Sequence, residues 1–284
     1  MTEVPSPRAA TPIRIYLQGG IASLVALPRL PLVKASRHDA IIMLSVDPDA
    51  VFSLSAGGLC ATSAAAAIAP ATPHTLQAGE ARTVSISVHL VHPLFPAMRA
   101  FTDQPVKALD RKAFAHLDRD LYDASVGHLD LDRASQLIDA VLAAVLAHAP
   151  PTPPLDPRIR QIMQTMDQDF NYPFDKLAAD LQISPSRLSH LFSKELGLPF
   201  RSYMAWSRLV LAWEMVALKP EMSFTEIAHI WGFSDSSHMA RNFHLKLGMT
   251  PTTMRDRSIV EIIGTPMPLG QHLPLEKPPS SSAG

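Results

Sequence analysis

The sequence predicts an α+β protein of two domains, in which a strand-rich N-terminal half precedes an all-helical C-terminal half. Three observations lead to this prediction. Short apolar and β-branched runs, separated by Gly, Pro and Asp, occupy residues 13–92. Two helix-turn-helix patterns lie within residues 174–257, and an apolar stripe at helical spacing joins them over residues 199–218. The length of 284 residues suits two domains.

The N-terminal runs alternate or are continuously apolar, as buried strands are. Many short strands within about 80 residues indicate a small barrel or sandwich. The predicted strands are residues 13–17, 41–44, 51–54, 67–69 and 84–88.

The first helix-turn-helix pattern begins with apolar residues at positions 174, 177, 178 and 181. Ser184 suits the N-cap of the second helix and Pro185 its first position, because that position needs no N–H. Gly197 suits the left-handed C-cap. The polar residues of this second helix, Ser186, Arg187, Ser189 and His190, are expected to face solvent.

The second pattern repeats this plan. Ser223 and Glu226 form a capping box, and Gly232 suits the positive φ of the turn. Ser234 is predicted to cap the second helix and Gly248 to end it. The residues left facing solvent are Ser236, Ser237, His238 and Arg241.

The stripe between the two patterns predicts a connecting helix. About 20 residues at 1.5 Å per residue give a length of roughly 30 Å. Successive major-groove faces on one side of B-DNA lie about 34 Å apart. One rigid helix of this length therefore fits two recognition helices into adjacent major grooves.

Residues 157–257 resemble the DNA-binding domain of the AraC/XylS family of bacterial transcription regulators. The resemblance implies a sequence-specific transcription regulator that binds double-stranded DNA. Met239 and Met254 depart from the family, which usually has an aromatic residue at both positions. The matching residues include Leu177, Ala178, the run 184–192, Gly197, Tyr203, Arg208, Leu209, Ala212, Ile227, Ala228, Gly232, Phe233, Ser237, Arg241, Phe243, Gly248, Pro251 and Arg255.

The resemblance also implies roles for side chains of both recognition helices. Arg241 is the best candidate for reading guanine, because a guanidinium pairs with O6 and N7 together. Arg187 contacts either a base or a phosphate. Lys194 and Lys246 follow the exposed faces and supply positive charge for phosphates. The positions that match base contacts are Ser186, Ser189 and His190 in the first unit, and Ser236, Ser237 and Arg241 in the second.

Net charge places a limit on non-specific DNA binding. The whole chain carries a formal charge of −1. Residues 155–258 hold 12 Lys and Arg against 11 Asp and Glu, and residues 1–150 hold 12 against 13. The positive charge on the predicted DNA-binding half is therefore local, and we expect modest non-specific affinity.

In this context the N-terminal half resembles the cupin-like effector domain of the same family, and Pro70, Pro73 and His74 match a turn that is common there. The resemblance implies a domain that senses a small-molecule effector, forms a homodimer, or both, with RNA polymerase as a further partner. His74 is predicted either to have a structural role or to contact the effector.

A metal, a cofactor and catalysis are not expected. Cupin metal sites need a His-x-His pair, which this sequence lacks, and His89 and His92 face opposite sides of a strand. The alternative function is a cupin-type enzyme or small-molecule-binding protein with an accessory DNA-binding domain.

The helix predicted after Asp130 has a continuous apolar stripe. This stripe either packs on the N-terminal sheet domain or, as the resemblance implies, forms the dimer contact. Its members are Leu131, Ala134, Leu137, Ile138, Val141, Leu142, Val145 and Leu146.

The predicted boundaries follow composition. Residues 1–150 form the effector and dimerisation domain, 151–157 a proline-rich linker, 158–258 the DNA-binding domain, and 259–284 a disordered tail. No run of 18 apolar residues predicts a membrane span, the first 11 residues do not look like a signal peptide, and Cys60 is the single cysteine. We therefore expect a cytoplasmic protein.

Overall fold

The computed structural model describes residues 11–19, 21–28, 33–147, 149, 151–152 and 155–265. Within these residues the strands form a seven-stranded sheet, in the order β10-β7-β4-β9-β2-β1-β11, and a four-stranded sheet, in the order β3-β8-β5-β6. The strands are β1 (Ile13–Gln18), β2 (Ala22–Leu27), β3 (Val33–Ala35), β4 (Ala40–Ser45), β5 (Phe52–Ala56), β6 (Leu59–Ser63), β7 (Ala65–Ile68), β8 (His74–Gln77), β9 (Thr83–Val88), β10 (Val106–Ala108) and β11 (Val260–Thr265).

The two sheets pack face to face over a small apolar cluster. Ile41 and Met43 of β4 contact this cluster from the larger sheet, and Phe52, Leu54 and Leu76 contact it from the smaller one. No strand pairing joins the two sheets among the described residues. The strands therefore form a sandwich there rather than one closed barrel.

Helices cover the other face of the large sheet. They are α1 (Phe95–Phe101), a 3-10 helix (Arg111–Leu117), α2 (Asp118–Val126) and α3 (Leu131–Leu146). Because strand side chains alternate between faces, Ile42, Leu44, Val84 and Ile86 point away from the sandwich interior and join the large core with these helices.

The apolar stripe on α3 is buried within this core. Ala134, Ile138, Val141 and Leu142 are at most 1 % exposed, and α3 contacts β1 and β2. The prediction that this stripe forms a dimer contact is wrong for its buried members, because the sheet of the same chain already covers them.

The C-terminal half is helical, as predicted, up to residue 255. Its helices are α4 (Pro157–Gln168), α5 (Phe174–Asp180), α6 (Pro185–Leu196), α7 (Phe200–Leu218), α8 (Phe224–Ile230), α9 (Ser236–Leu247) and α10 (Pro251–Arg255). The last linker residue, Pro157, is the first residue of α4, and the Asp156 side chain caps that helix by accepting from the Arg158 amide.

A strand follows α10, where a disordered tail was expected from residue 259. Val260–Thr265 forms β11 and pairs in parallel with β1 over six residues, beginning at Ile13 opposite Val260. Arg14 Nε also donates to Glu261 Oε2 at 2.9 Å. The C-terminal end of the helical domain is therefore part of the N-terminal sheet. The rest of the predicted tail, residues 266–284, lies outside the described residues.

Candidate nucleic-acid interface

The first helix-turn-helix unit consists of α5 and α6, and local signals define its turn. Gln182 adopts a left-handed φ of 54°, and Ser184 caps α6 by accepting a hydrogen bond from the Arg187 amide at 3.2 Å. Gly197 ends α6 with a φ of 79°, a left-handed C-cap that favours glycine. The helix thus begins and ends at the predicted residues.

The side chains of α6 divide cleanly between core and solvent. Leu188, Phe192 and Leu196 are buried against α5 and α7. All five predicted DNA contacts of this helix are exposed: Ser186, Arg187, Ser189, His190 and Lys194.

The second unit consists of α8 and α9, and it begins with the predicted capping box. Ser223 N donates to Glu226 Oε2 at 2.8 Å, and Glu226 N donates to Ser223 Oγ at 3.2 Å. The Ser223 hydroxyl also donates to Glu226 Oε2 at 2.7 Å, and this hydrogen bond, together with that from Ser223 N, lowers the pKa of Glu226. Gly232 in the turn has a φ of 72°.

Asp235, and not Ser234, caps α9. Its carboxylate accepts from the His238 amide at 2.7 Å, and Ser234 Oγ donates to it at 3.0 Å. The backbone hydrogen bond from His238 lowers the pKa of Asp235, so a negative charge stays at this helix end. A carboxylate there interacts favourably with the helix dipole, which explains why Asp replaces the neighbouring Ser as the cap.

The predicted contacts on α9 differ in their exposure. Ser237 and Arg241 are exposed, whereas Ser236, His238 and Lys246 are half-buried. The His238 ring lies edge-on to Phe233, 5.6 Å between centroids, and its Nδ1 is 3.2 Å from Ser234 Oγ. His238 is therefore only partly exposed, because its ring lies against the turn of its own unit.

The connecting helix α7 has 19 residues, which at 1.5 Å per residue give a length of about 28 Å. Tyr203, Trp206 and Leu209 are buried on the face that packs against its neighbours. Trp213 is half-buried and lines a small cavity together with residues of the N-terminal sheet and Leu247 of α9.

The N-terminal domain contacts the last turns of both recognition helices, a feature that no sequence pattern indicated. Arg99 of α1 donates through Nη1 to the carbonyl oxygens of Lys194 and Glu195, at 3.2 and 2.7 Å, in α6. Ser36 N donates to Lys246 O at 3.1 Å, and Arg37 Nη2 lies 3.5 Å from Leu247 O, both in α9. These donors reach carbonyls that a helix cannot satisfy internally.

A buried carboxylate forms a third contact between the domains. Asp39, which is 3 % exposed, accepts a hydrogen bond from Trp206 Nε1 of α7 at 3.2 Å. His89 Nε2 lies 4.0 Å from the same carboxylate. Burial raises the pKa of Asp39, although His89, Arg37 and this hydrogen bond act in the opposite direction. Beside this carboxylate is a cavity of about 40 Å³, lined by residues of the sheet and of α7.

His74 is buried at the start of β8, where its Nδ1 lies 3.0 Å from Thr72 O, and burial lowers its pKa. It does not line the cavity beside Asp39. The described residues contain no group of three or more His, Cys, Asp or Glu with an arrangement that holds a metal ion. Across the same residues, no helix combines the length and the apolar character that a membrane crossing needs.

Comparisons with known proteins agree with this geometry for the C-terminal half. A family model described as a helix-turn-helix domain matches residues 177–257. The arabinose operon regulatory protein of Escherichia coli (strain K12) is 30 % identical over 106 residues, which are 36 % of this chain and 36 % of that protein. The transcriptional regulator GbdR of Pseudomonas aeruginosa is 30 % identical over 132 residues, 45 % of this chain and 34 % of that protein. The chain thus matches about a third of the length of these curated relatives.

Solved structures of one protein resemble the whole fold. An apo ToxT variant from Vibrio cholerae strain SCE256 matches with a TM-score of 0.55 and 12 % identity, over 84 % of this chain and 97 % of that one. Wild-type ToxT from the same strain, with unsaturated fatty acid bound, matches with a TM-score of 0.52 and 13 % identity, over 87 % and 98 % of the two chains. At this identity the likeness shows a shared arrangement of a strand-rich N-terminal domain and a helical C-terminal domain.

Proposed function

The chain belongs to the AraC/XylS family through its C-terminal domain, and on this premise we propose that it is a sequence-specific, DNA-binding transcription regulator. The observation that carries the proposal is the pair of capped recognition helices, α6 and α9, joined by the 19-residue helix α7. A connection of about 28 Å is close to the 34 Å that separates successive major-groove faces.

The exposed side chains divide into proposed base contacts and proposed phosphate contacts. Arg241 is exposed and forms no hydrogen bond or ion pair with another described side chain, so its guanidinium is free to pair with guanine. Ser186, Ser189 and His190 on α6 and Ser236 and Ser237 on α9 offer weaker hydrogen bonds to base edges. Lys194 and Lys246 are assigned to phosphates, and Arg187 to either a base or a phosphate.

The N-terminal domain is proposed to sense a small molecule, to form a homodimer, or both, in a cytoplasmic regulator that acts on RNA polymerase. Two facts support the first role: the ToxT structure with this fold is described with an unsaturated fatty acid bound, and the sheet domain here contacts all three of α6, α7 and α9. His74 remains a proposed effector contact. A dimer would use a surface other than the buried stripe of α3.

The test is selection of binding sites from a pool of randomised duplex DNA with the full-length protein. We expect two sequence elements whose centres lie about one helical turn, 10–10.5 base pairs, apart. The double variant Arg187→Ala/Arg241→Ala serves as a control and should lose part of both elements. If the folded wild-type protein enriches no sequence from the pool, the chain does not read DNA sequence.

A further inference from the structure

A cleft of about 330 Å³ lies where α7, the second helix-turn-helix unit and the connection between β3 and β4 meet. We call it the Trp231 cleft. It is separate from the cavity beside Asp39, although Trp206 lines both. The residues that matter here are His38, Trp206, Arg208, Trp231, Asn242 and Lys246.

The charged residues of the Trp231 cleft are all basic. Arg208 projects from α7 and Lys246 from α9, and the residues lining the cleft include no Asp or Glu. Among the described residues, no hydrogen bond or ion pair engages the Arg208 guanidinium or the Lys246 ammonium. Two cationic groups that face a common space without carboxylates favour an anion between them.

Two buried hydrogen-bonding atoms at the same cleft also have no protein partner. Trp231 is 2 % exposed, and its Nε1–H meets no acceptor among the described residues. His38 Nδ1 is likewise buried without a partner. Buried polar atoms normally have a partner, so these two identify a place where a ligand can supply one. Burial and the nearby Lys246 lower the pKa of His38, which keeps its ring neutral.

Aromatic rings provide the apolar part of the lining. Trp206 and Trp231 both line the cleft, and His38 lies edge-on to Trp206 with 5.4 Å between ring centroids. A neighbouring cavity of about 150 Å³, lined also by Phe170, shares Arg208, Trp231 and Gly232 with this cleft. The volume is at the lower end of the range of about 300–1,000 Å³ for small-molecule sites.

We propose that the Trp231 cleft binds a small organic anion with a flat apolar body. Its carboxylate or phosphate group lies between Arg208 and Lys246, and the indole N–H of Trp231 donates to it. Its apolar body lies against Trp206 and Trp231. This site is distinct from the effector site proposed for the N-terminal domain, and it adjoins α9 directly, so an occupant would contact both domains and the second recognition helix.

The chain contains three tryptophans, and this permits a direct test by the indole N–H resonances of the ¹⁵N-labelled full-length protein. Phenyl phosphate and benzoate are the anionic probes, benzamide is the uncharged match, and inorganic phosphate lacks the apolar body. Trp231→Phe assigns the key resonance. We expect the anionic aromatic probes to shift the Trp231 resonance in a saturable way, and benzamide to leave it unchanged.

Arg208→Gln should weaken that binding about tenfold or more, as expected when one partner of a charge-assisted hydrogen bond is lost. The matched control is Arg201→Gln, on the same helix and outside the cleft, which should bind the probe as the wild type does. If Arg208→Gln does not fold, Trp231→Phe provides the second test, with probe binding measured from the probe's own NMR signals. It should weaken binding while the Trp206 resonance stays in place.

Three outcomes would overturn the proposal. Inorganic phosphate could shift the Trp231 resonance as far as phenyl phosphate does, which means an adventitious ion only. The aromatic anions could bind equally well to Arg208→Gln. A random-sequence DNA duplex could shift the resonance when neither aromatic anion does, which would assign the cleft to a DNA phosphate. None of these readouts depends on sequence-specific DNA binding.

Discussion

Replacing Arg241 with alanine should remove the reading of one base pair and leave the fold intact. Arg241 is exposed on α9 and makes no hydrogen bond or ion pair with another described side chain. The substitution should therefore change the free energy of unfolding by no more than about 0.5 kcal/mol. A bidentate pair with guanine contributes about 1–3 kcal/mol of discrimination, so affinity for the best site should fall about 5- to 150-fold.

The assay is a panel of duplexes, each with one base pair of the selected site changed, titrated with wild-type and variant protein at two salt concentrations. At one position the wild type should lose affinity on base substitution and Arg241→Ala should not. Lys194→Ala is the matched control, because Lys194 is also exposed but lies in the last turn of α6.

Lys194→Ala should weaken all duplexes about equally and reduce the salt slope by about one unit, as loss of a phosphate contact does. Lys246 is a less suitable control because it is half-buried and lines the Trp231 cleft. If Arg241→Ala loses affinity uniformly across the panel, Arg241 is a phosphate contact. The serines and His190 must then carry the specificity.

Three further predictions concern the domain contacts and the core. Arg99→Ala removes two hydrogen bonds to the end of α6 and should lower the free energy of unfolding by about 1 kcal/mol. Arg82→Ala loses an exposed ion pair with Asp47 and the contact of its guanidinium with the Tyr122 ring, and it should change the free energy of unfolding by less in denaturant titrations. Leu142→Asp puts a charge at a fully buried position, so circular dichroism should show an unfolded or aggregated protein; a folded monomer would contradict the core position. Burial raises the pKa of Asp39 from its ordinary value of 3.8, so the folded protein binds this proton more tightly and the free energy of unfolding should fall as the pH rises above that value. Asp39→Asn should give a flatter profile above about pH 4, and an unchanged profile would mean that other groups cause the dependence.

The helices of the C-terminal domain could be predicted closely because each carries its own start and stop signals. Ser184, Ser223, Gly197 and Gly248 all occupy the cap positions expected of them. The cap of α9 was misplaced by one residue because Ser234 and Asp235 are adjacent and both residue types suit an N-cap. The sequence alone does not decide between these two residues. In the structure Asp235 is the cap, and its carboxylate interacts more favourably with the helix dipole than a hydroxyl does.

The long-range contacts could not be predicted because nothing local encodes them. Val260–Thr265 reads as a short apolar run before a proline-rich segment, and its partner β1 lies 247 residues away, as the Arg14–Glu261 hydrogen bond shows. The apolar stripe of α3 looks the same whether it covers a sheet or a second protomer. Nothing in the sequence around Arg99 indicates that its guanidinium donates to carbonyl oxygens of α6.

On each recognition helix, the residues proposed to contact bases lie near the N-terminal end, and the carbonyls that the N-terminal domain contacts lie at the C-terminal end. On α6 the proposed base contacts, 186–190, lie in the first turns, whereas Arg99 reaches the carbonyls of Lys194 and Glu195 in the last. On α9 the proposed base contacts, 236–241, likewise precede the carbonyls of 246 and 247 that the N-terminal domain contacts. The N-terminal domain therefore holds both helices without contacting their proposed reading ends through these hydrogen bonds. Their spacing consequently depends on these contacts as well as on the length of α7, so a change in the N-terminal domain has a direct physical route to the residues proposed to read DNA.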